Sequence, residues 1–158
     1  MRRENLEMIT AEIEEWLDVL PELKPMFPAH HRELALFQDR MPLNIQFGVY
    51  ADRNIKGELV VAIVREDGKV IGYWVTFVAP GLHYGSTLTA TMDVLWIKPE
   101  NRGDGSGRML AACLEKELKR RGVKVWWVGS KNHKEIEGFY EHLGFKHEES
   151  YFARWIGG

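Results

Sequence analysis

Residues 93–110 have the sequence DVLWIKPENRGDGSGRML, which combines an apolar run, a proline and three closely spaced glycines. An apolar run that favours a strand ends at Pro99, and glycines then alternate with other residues at positions 103, 105 and 107. Proline ends a strand because it has no N–H to donate, and glycine adopts positive φ angles that other residues avoid. The stretch therefore predicts a strand, a tightly turned loop and the start of a helix.

The junction between this strand and this helix is a predicted binding site for phosphate oxygens. Loop N–H groups and the first N–H groups of the helix converge there and create a positive potential. Glycine lets the backbone approach an anion with no Cβ in the way. Arg102 adds a positive charge and Ser106 a hydroxyl donor. A merely flexible loop is the alternative, which the regular alternation of the glycines disfavours.

Two common phosphate-binding motifs fit this stretch poorly. A nucleoside-triphosphate loop needs Gly-Lys-Ser/Thr at the start of the helix, where this chain has Gly107, Arg108 and Met109. A dinucleotide fingerprint needs G-x-G-x-x-G early in a βαβ unit, whereas G-x-G-x-G occurs here late in the chain. The ligand is therefore a different phosphate compound.

Composition and charge predict one domain over residues 1–158. The chain has 158 residues, 45% hydrophobic and 28% charged, which suffices for one hydrophobic core. A net charge of -2 disfavours nucleic acid and anionic membranes as partners. One cysteine excludes an internal disulfide, and the first residues lack the apolar run of a secretory signal. We expect a cytoplasmic protein.

The order of predicted elements indicates an α/β fold. In residues 1–57 we predict a strand at 6–10, a helix with Thr10 as N-cap that Pro21 interrupts, a helix at 29–40 and a third helix, or a strand, at 44–58. The core, residues 58–158, begins with a hairpin, 58–66 and 69–80, joined by an Asp-Gly turn. Five further elements complete a mixed sheet with helices on both faces. They are a strand at 87–99, a helix at 103–122, a strand at 123–130 covered on both faces, a helix at 134–143 and a strand at 146–156.

Three motifs resemble those of the GNAT superfamily of acyl-CoA-dependent N-acyltransferases. Residues 102–107, RGDGSG, resemble its R/Q-x-x-G-x-G/A signature, and LWIKP at 95–99 resembles the strand before it. GFYEHLGF at 138–145 resembles the F-Y-x-x-x-G-F stretch on the last helix of the family. The resemblance runs from residue 58 to the C-terminus. HYGSTLTATMDV at 83–94 also resembles members of this superfamily that bacteriophages carry.

The resemblance implies acetyl-CoA as cosubstrate and a mostly antiparallel sheet with a splay between the fourth and fifth strands. The splay, between 91–97 and 125–129, admits the pantetheine arm, and the glycine loop holds the pyrophosphate. An asparagine precedes the family's tyrosine by seven residues, where this chain has His133, so Asn132 is a neighbouring candidate. The implied cofactor-binding residues are Leu95, Trp96, Ile97, Arg102, Gly103, Asp104, Gly105, Ser106, Gly107, Arg108 and Asn132.

Tyr140 and Asp93 are the candidate catalytic residues. Tyr140 matches the family tyrosine that protonates the thiolate, and its alternative is a plain core residue. Asp93 is a carboxylate in an apolar strand, either a base that binds the amine or a structural hydrogen-bond partner. Thr91 stands where relatives carry a glutamate base, which leaves direct attack or a water relay open. His83 and Tyr84 are further candidates for the acceptor pocket.

The sequence thus predicts an enzyme that transfers an acetyl group from acetyl-CoA to a primary amine by direct attack in a ternary complex. A non-catalytic acyl-CoA-binding regulatory domain and an anion-binding module are the alternatives. The acceptor is an amine on a small molecule or a protein, and the chain is a monomer or a homodimer. The histidines lack metal-binding spacing such as H-E-x-x-H, so no metal is expected.

Overall fold

Apolar runs of strand length form a five-stranded sheet in the computed structural model, which describes residues 8–158. The strands are β1 (Ile9–Ile13), β2 (Leu59–Glu66), β3 (Lys69–Pro80), β4 (Leu88–Ile97) and β5 (Val125–Trp127). The helices are α1 (Trp16–Leu23), α2 (Phe27–Leu34), α3 (Phe47–Ile55), α4 (Ser106–Arg120) and α5 (Glu137–His142). Single 3-10 turns occupy Lys24–Met26 and Pro99–Asn101.

The strands lie in the order β1-β2-β3-β4-β5, with neighbours antiparallel except for β4 and β5, which are parallel. The hairpin between β2 and β3 turns at Asp67 and Gly68, whose φ angles are 48° and 82°. Positive φ at both turn residues matches the right-handed twist of the strands, which is why Asp-Gly is frequent at such turns. The predicted hairpin is confirmed.

Helices cover both faces of the sheet, as the sequence predicts. Side chains of β2 alternate strictly between two hydrophobic clusters: Val61 and Ile63 join one, and Val60 and Ala62 the other. The first cluster contains the buried residues of α1 and α2, with Tyr50 of α3 at its edge. The second contains the buried residues of α4 and α5. The fold is therefore α/β, with α1, α2 and α3 on one face and α4 and α5 on the other.

A β-bulge interrupts the pairing of β3 with β4 at Asp93. Val75 pairs with Val94 and Thr76 pairs with Met92, so Asp93 is an extra residue with no partner in β3. A bulge leaves its extra residue outside the ladder and lets the alternation resume beyond it. Asp93 therefore occupies a position that neither hydrophobic cluster uses.

The splay between β4 and β5 follows from the short length of their pairing. Three pairs join these strands, and the last is Thr91 with Trp127, although β4 continues to Ile97. Among the described residues, no strand pairs with this edge of β4 beyond Thr91. The predicted opening between the fourth and fifth strands is present.

Several predicted elements in the N-terminal third are wrong. Thr10 lies in β1 and caps no helix, because α1 begins at Trp16 with Glu15 as its N-cap residue. Pro21 lies inside α1, which continues to Leu23. The third segment is a helix, α3, so the alternative of a strand is excluded. The predicted strand at 6–10 partly falls on residues 6 and 7, which lie outside the described residues.

The C-terminal predictions need larger corrections. The strand predicted over 123–130 covers only Val125–Trp127, and its outer residues are about 40% exposed because it lies at the edge of the sheet. The segment 146–156 forms no strand, and its apolar side chains Tyr151, Phe152 and Ile156 are exposed. Trp155 instead packs against Phe37, with ring centroids 5.9 Å apart. An alternating pattern needs a partner strand, and no strand edge pairs with this segment.

No helix among residues 8–158 has the length and apolar character needed to cross a membrane. The Lys-Arg-Arg sequence at 119–121 ends α4, as expected for cations near a helix C-terminus. Arg120 and Arg121 both pair with Glu117, with closest distances of 2.7 and 2.8 Å. Arg120 is exposed, and Arg121 also donates to the Gly57 carbonyl, so both cations are engaged by the protein at this helix end.

A partly buried histidine joins α2 to the sheet. His30 Nδ1 lies 2.7 Å from the Tyr73 hydroxyl, and its ring stacks on Trp96 with centroids 5.9 Å apart. Burial lowers the pKa of His30 to about 4, so the imidazole is neutral at pH 7. Burial also raises the pKa of Tyr73, which keeps its hydroxyl protonated. One hydrogen bond therefore joins Nδ1 and the hydroxyl, and the tautomer of the neutral ring sets which of the two donates.

We expect His30 to make the fold less stable as the pH falls from 6.5 towards 4. The folded-state pKa is depressed, so its contribution to stability is present above the unfolded value of 6.5 and is lost as the pH falls towards about 4. His30→Gln keeps an acceptor but does not titrate. Its Tm should fall less steeply than the wild-type Tm over this range, whereas the exposed control His83→Gln should follow the wild type. Parallel profiles for His30→Gln and wild type would contradict the expectation.

Candidate active site

The loop between β4 and α4 has the backbone geometry that an anion site requires. Gly103 and Gly105 have φ angles of 85° and 95°, which other residues rarely adopt. No atom lies within 4 Å of a Cβ built on either glycine, so the space in front of the loop is open. Within the described residues, the N–H groups of Gly105, Gly107 and Arg108 donate to no protein atom. These donors at the start of α4 fit the oxygens of a pyrophosphate.

Gly107 has a different structural role from the other two glycines. It lies within the first turn of α4, where a Cβ would approach the ring of Phe139 to 3.2 Å and Ile97 to 3.5 Å. Glycine there lets α4 pack closely against α5 and the end of β4. The third glycine of the motif therefore sets helix packing, and the first two shape the loop.

Asp104 and Ser106 stabilise the loop itself. The Asp104 carboxylate accepts hydrogen bonds from the N–H and the hydroxyl of Ser106, at 2.8 and 2.5 Å. Ser106 is almost fully buried, so its hydroxyl is occupied within the protein. Despite the cost of desolvation, hydrogen bonds from Ser106 lower the pKa of Asp104. The hydroxyl donor that the sequence suggested for phosphate is therefore directed at Asp104.

Arg102 points away from the loop, towards α2. Its Nη1 and Nη2 atoms donate to the Glu33 carboxylate at 2.6 and 2.8 Å, and its Nε donates to the Ile97 carbonyl at 2.9 Å. Trp96 donates its indole N–H to the same carboxylate at 2.9 Å. The positive charge expected to face phosphate is thus balanced by Glu33, a residue that no pattern in the sequence marks.

The end of β4, Leu95, Trp96 and Ile97, lies beside the splay. Leu95 and Ile97 pack into the cluster with α4 and α5, and Trp96 packs into the opposite cluster with α2. Gly72 of β3 lies opposite Ile97, and a Cβ there would come within 2.9 Å of the Trp96 carbonyl. The close approach of β3 fixes one edge of this segment, and the splay leaves its other edge without a partner strand.

Tyr140 reaches the splay from α5. Its hydroxyl donates to the Gly129 carbonyl at 2.8 Å and lies 3.3 Å from the sulfur of Met92. Gly129 follows β5 and Met92 lies in β4, so the hydroxyl lies between the two diverging chains. Burial raises the pKa of Tyr140, which keeps the proton on the hydroxyl. Tyr140 therefore has core packing and a protonated hydroxyl at the opening.

Asp93 reaches the opposite face, where α3 covers the sheet. The Tyr50 hydroxyl donates to the Asp93 carboxylate at 2.5 Å, and the Tyr50 ring stacks on Trp16 with centroids 4.7 Å apart. Burial raises the pKa of Asp93, and the hydrogen bond from Tyr50 opposes that shift. Tyr50 was not selected from the sequence, because nothing in the pattern of α3 shows that it meets a residue 43 positions away.

The two candidate catalytic residues thus lie on opposite faces of β4, beside the same opening. Asp93 faces α3, and Tyr140 meets Met92 in the cluster with α4 and α5. The pairing of β4 with β5 ends two residues before Asp93, so the opening starts beside both side chains. This arrangement suits a reaction in which one substrate arrives from each side.

The remaining candidates are spread more widely. Asn132 lies in an exposed turn between β5 and α5, which the bridge between Lys131 and Lys134 closes. His83 and Tyr84 lie on the exposed connection before β4, at the end of the strand opposite to the glycine loop. Asp93 is about 16 Å along β4 from Leu88 at the usual rise per residue. Among the described residues, no group of three histidine, cysteine or acidic side chains is placed to hold a metal ion.

Comparison with known proteins identifies the family. A family model described as an acetyltransferase (GNAT) domain matches residues 57–147, which is more than half of the chain. No curated protein sequence matches the chain significantly.

Solved structures of acetyltransferases share the fold along nearly the whole chain. A ribosomal-protein-alanine N-acetyltransferase from Brucella melitensis biovar Abortus 2308 has a TM-score of 0.69 and 15% identity, covering 95% of this chain and 100% of that one. A predicted acetyltransferase from Clostridium acetobutylicum with acetyl-CoA has a TM-score of 0.69 and 14% identity, with coverages of 94% and 97%. An aminoglycoside acetyltransferase from an uncultured soil metagenomic sample, in complex with sisomicin, has a TM-score of 0.71 and 12% identity, with coverages of 94% and 97%.

At these identities the likeness shows the fold, and none of the three structures bears on the resemblance to bacteriophage proteins. The family model covers the hairpin, the splay, the glycine loop and Tyr140. From the match to this model, together with the mixed sheet and the loop geometry, the chain belongs to the GNAT acetyltransferase family.

Proposed function

We propose that the protein transfers an acetyl group from acetyl-CoA to a primary amine. The observation that carries this proposal is the glycine loop, where positive φ angles, open space and unused N–H donors occur together at the start of α4. This loop continues directly from the unpaired edge of β4. One extended ligand with a pyrophosphate and an amide-containing arm would use both features, and acetyl-CoA has that shape.

In this proposal, the pantetheine arm pairs with the backbone of residues 95–97 as an added strand would. Its amides provide partners for N–H and C=O groups that have no strand beside them. Residues 103–108 surround the pyrophosphate, with the N–H groups of Gly105, Gly107 and Arg108 as donors, and the start of α4 adds the favourable end of its dipole. Asn132 lies in the turn after β5 and contributes from the exposed rim.

The chemical step is direct attack of the amine on the thioester. The amine nitrogen forms a bond to the acetyl carbon, the C–S bond breaks, and the thiolate of CoA leaves. Asp93 holds the ammonium form and accepts its proton, which frees the nitrogen lone pair. Tyr140 gives a proton to the thiolate as the C–S bond breaks, and the second N–H proton, lost by the nitrogen as the amide forms, restores the Tyr140 hydroxyl. The proton on Asp93 passes to solvent. The acceptor thus approaches from the α3 face, which α1, α2 and α3 cover, and residues 1–57 are the variable part of a single domain.

A broad screen of amines and peptides with acetyl-CoA, read by release of the free thiol, tests the activity. Turnover with any acceptor supports the enzyme. Tight CoA binding without turnover across the screen would instead support an acyl-CoA-binding regulatory domain, and the absence of both would leave an anion-binding module.

Replacing Gly105 by valine should abolish CoA binding. A β-branched side chain at a φ of 95° strains the loop and occupies the open space that the phosphate needs. Gly122→Val is the matched control, because Gly122 has a φ of 84°, open surroundings and a place at the other end of α4. CoA should raise the Tm of the wild type and of Gly122→Val but not that of Gly105→Val. A full shift in Gly105→Val would refute the cofactor site.

Removing the Tyr140 hydroxyl should slow the chemical step. Tyr140→Phe keeps the ring in its cluster, so CoA affinity should change little while kcat falls by on the order of 10². Steady-state kinetics with the best acceptor from the screen measure this, and Tyr84→Phe on the exposed connection is the control. If kcat is unchanged while chemistry limits the rate, Tyr140 is only a core residue.

Neutralising Asp93 should weaken use of the amine and leave CoA binding intact. Asp93→Asn keeps the size of the side chain and loses the charge and the basic group, so we expect kcat/KM for the amine to fall by on the order of 10². Titration of CoA should give the wild-type Kd. A variant with normal amine kinetics, or one that fails to fold, would assign Asp93 a structural role at the bulge.

A further inference from the structure

The carboxylate of Glu33 joins three parts of the molecule that are distant in sequence. It lies on α2 and accepts hydrogen bonds from Arg102, at the start of the glycine loop, and from Trp96, near the end of β4. Both oxygens are engaged, and the side chain is 17% exposed. A carboxylate with this many donors in a mostly buried place holds its partners in one geometry.

Arg102 transmits this geometry to the backbone of the strand. While Nη1 and Nη2 contact Glu33, Nε donates to the carbonyl of Ile97, the last residue of β4. The planar guanidinium fixes the angle between these partners, which lysine would not do. Glu33 therefore acts on the point where the strand ends and the loop begins.

The ion pair is present at neutral pH. Hydrogen bonds from Arg102 and Trp96 lower the pKa of Glu33 to about 2, despite the cost of desolvation. The charge of Arg102 is therefore already balanced before any phosphate binds. These contacts favour a role for Arg102 in shaping the loop over a role as the main charge partner of pyrophosphate.

We propose that Glu33 is a positioning residue of the cofactor site, which holds Arg102, Trp96 and the Ile97 carbonyl so that the end of β4 and the glycine loop keep the conformation that receives CoA. The inference rests on the proposed function, because it takes acyl-CoA as the ligand of this loop. Glu33 lies in the helical N-terminal part, whereas the residues that the family motif assigns to this site all follow position 90. Glu33 itself needs no contact with CoA.

The test measures CoA binding by calorimetry for the wild type and for variants at both ends of the contact. Glu33→Gln removes the charge and keeps the length of the side chain. We expect its Kd for CoA to rise about tenfold. By analogy, this is the lower end of the loss in affinity at metal sites when a residue that orients a metal ligand is removed. Glu115→Gln is the control, since it removes an exposed ion pair with Lys119 on α4, 3.2 Å long, and should bind CoA as the wild type does.

A double variant separates positioning from general stability. If Glu33 acts through Arg102, then Glu33→Gln combined with Arg102→Gln should bind CoA about as weakly as Arg102→Gln alone. A merely structural Glu33 would lower the Tm measured without ligand and leave the Kd of the folded protein unchanged. Should Glu33→Gln fail to fold, Glu33→Asp keeps the charge but withdraws it by one methylene, and its Kd should still exceed the wild-type value.

The outcomes distinguish this inference from the proposed function. Wild-type protein that binds no CoA would overturn both. Wild-type binding with an unchanged Kd in a folded Glu33 variant, or with tighter binding because Arg102 is released towards the phosphate, would overturn the role of Glu33 alone.

Discussion

Hydrogen-bonded pairing between β4 and β5 stops at Thr91 and Trp127, and this break opens the sheet beside the end of β4. If β5 continued to pair with β4 beyond Trp127, it would use the N–H and C=O groups along that edge of β4, since buried backbone groups require partners. No edge of β4 would then be left for a ligand. The break instead gives the last residues of β4 one edge held by β3 and one edge open. The glycine loop follows this open edge after the single 3-10 turn at Pro99–Asn101, so the open edge and the unused N–H groups at the start of α4 lie close together along the chain.

The N-terminal helices contribute to this region as well as covering the core. α2 reaches β4 and the loop through Glu33, and α3 reaches the bulge in β4 through Tyr50. Both contacts are polar and lie at the margins of the hydrophobic cluster that α1 and α2 form with the sheet. Apolar packing therefore holds these helices in place, and a few directional hydrogen bonds adjust the strand that carries the proposed chemistry.

Local signals predicted the features that depend on local structure. The Asp-Gly turn, the strand that stops at Pro99 and the glycine loop each follow from the backbone preferences of a few adjacent residues. Partners across the fold could not be predicted, since the contact of Glu33 with Arg102 spans 69 positions and that of Tyr50 with Asp93 spans 43. The strand predicted at 146–156 is wrong for the same reason. The alternation of apolar and polar residues is a local pattern, but a strand also needs a partner strand that is distant in sequence.

The bulge at Asp93 adds a polar side chain to β4 without replacing a residue that packs in the core. Val94 and Met92 already have consecutive partners, Val75 and Thr76, so the residue between them adds a carboxylate without displacing an apolar side chain from either cluster. Deleting the single codon for Asp93 would leave those pairings in register and yield a regular strand. Loss of this one residue would therefore remove a carboxylate from the strand and leave the pairing of its apolar neighbours as it is.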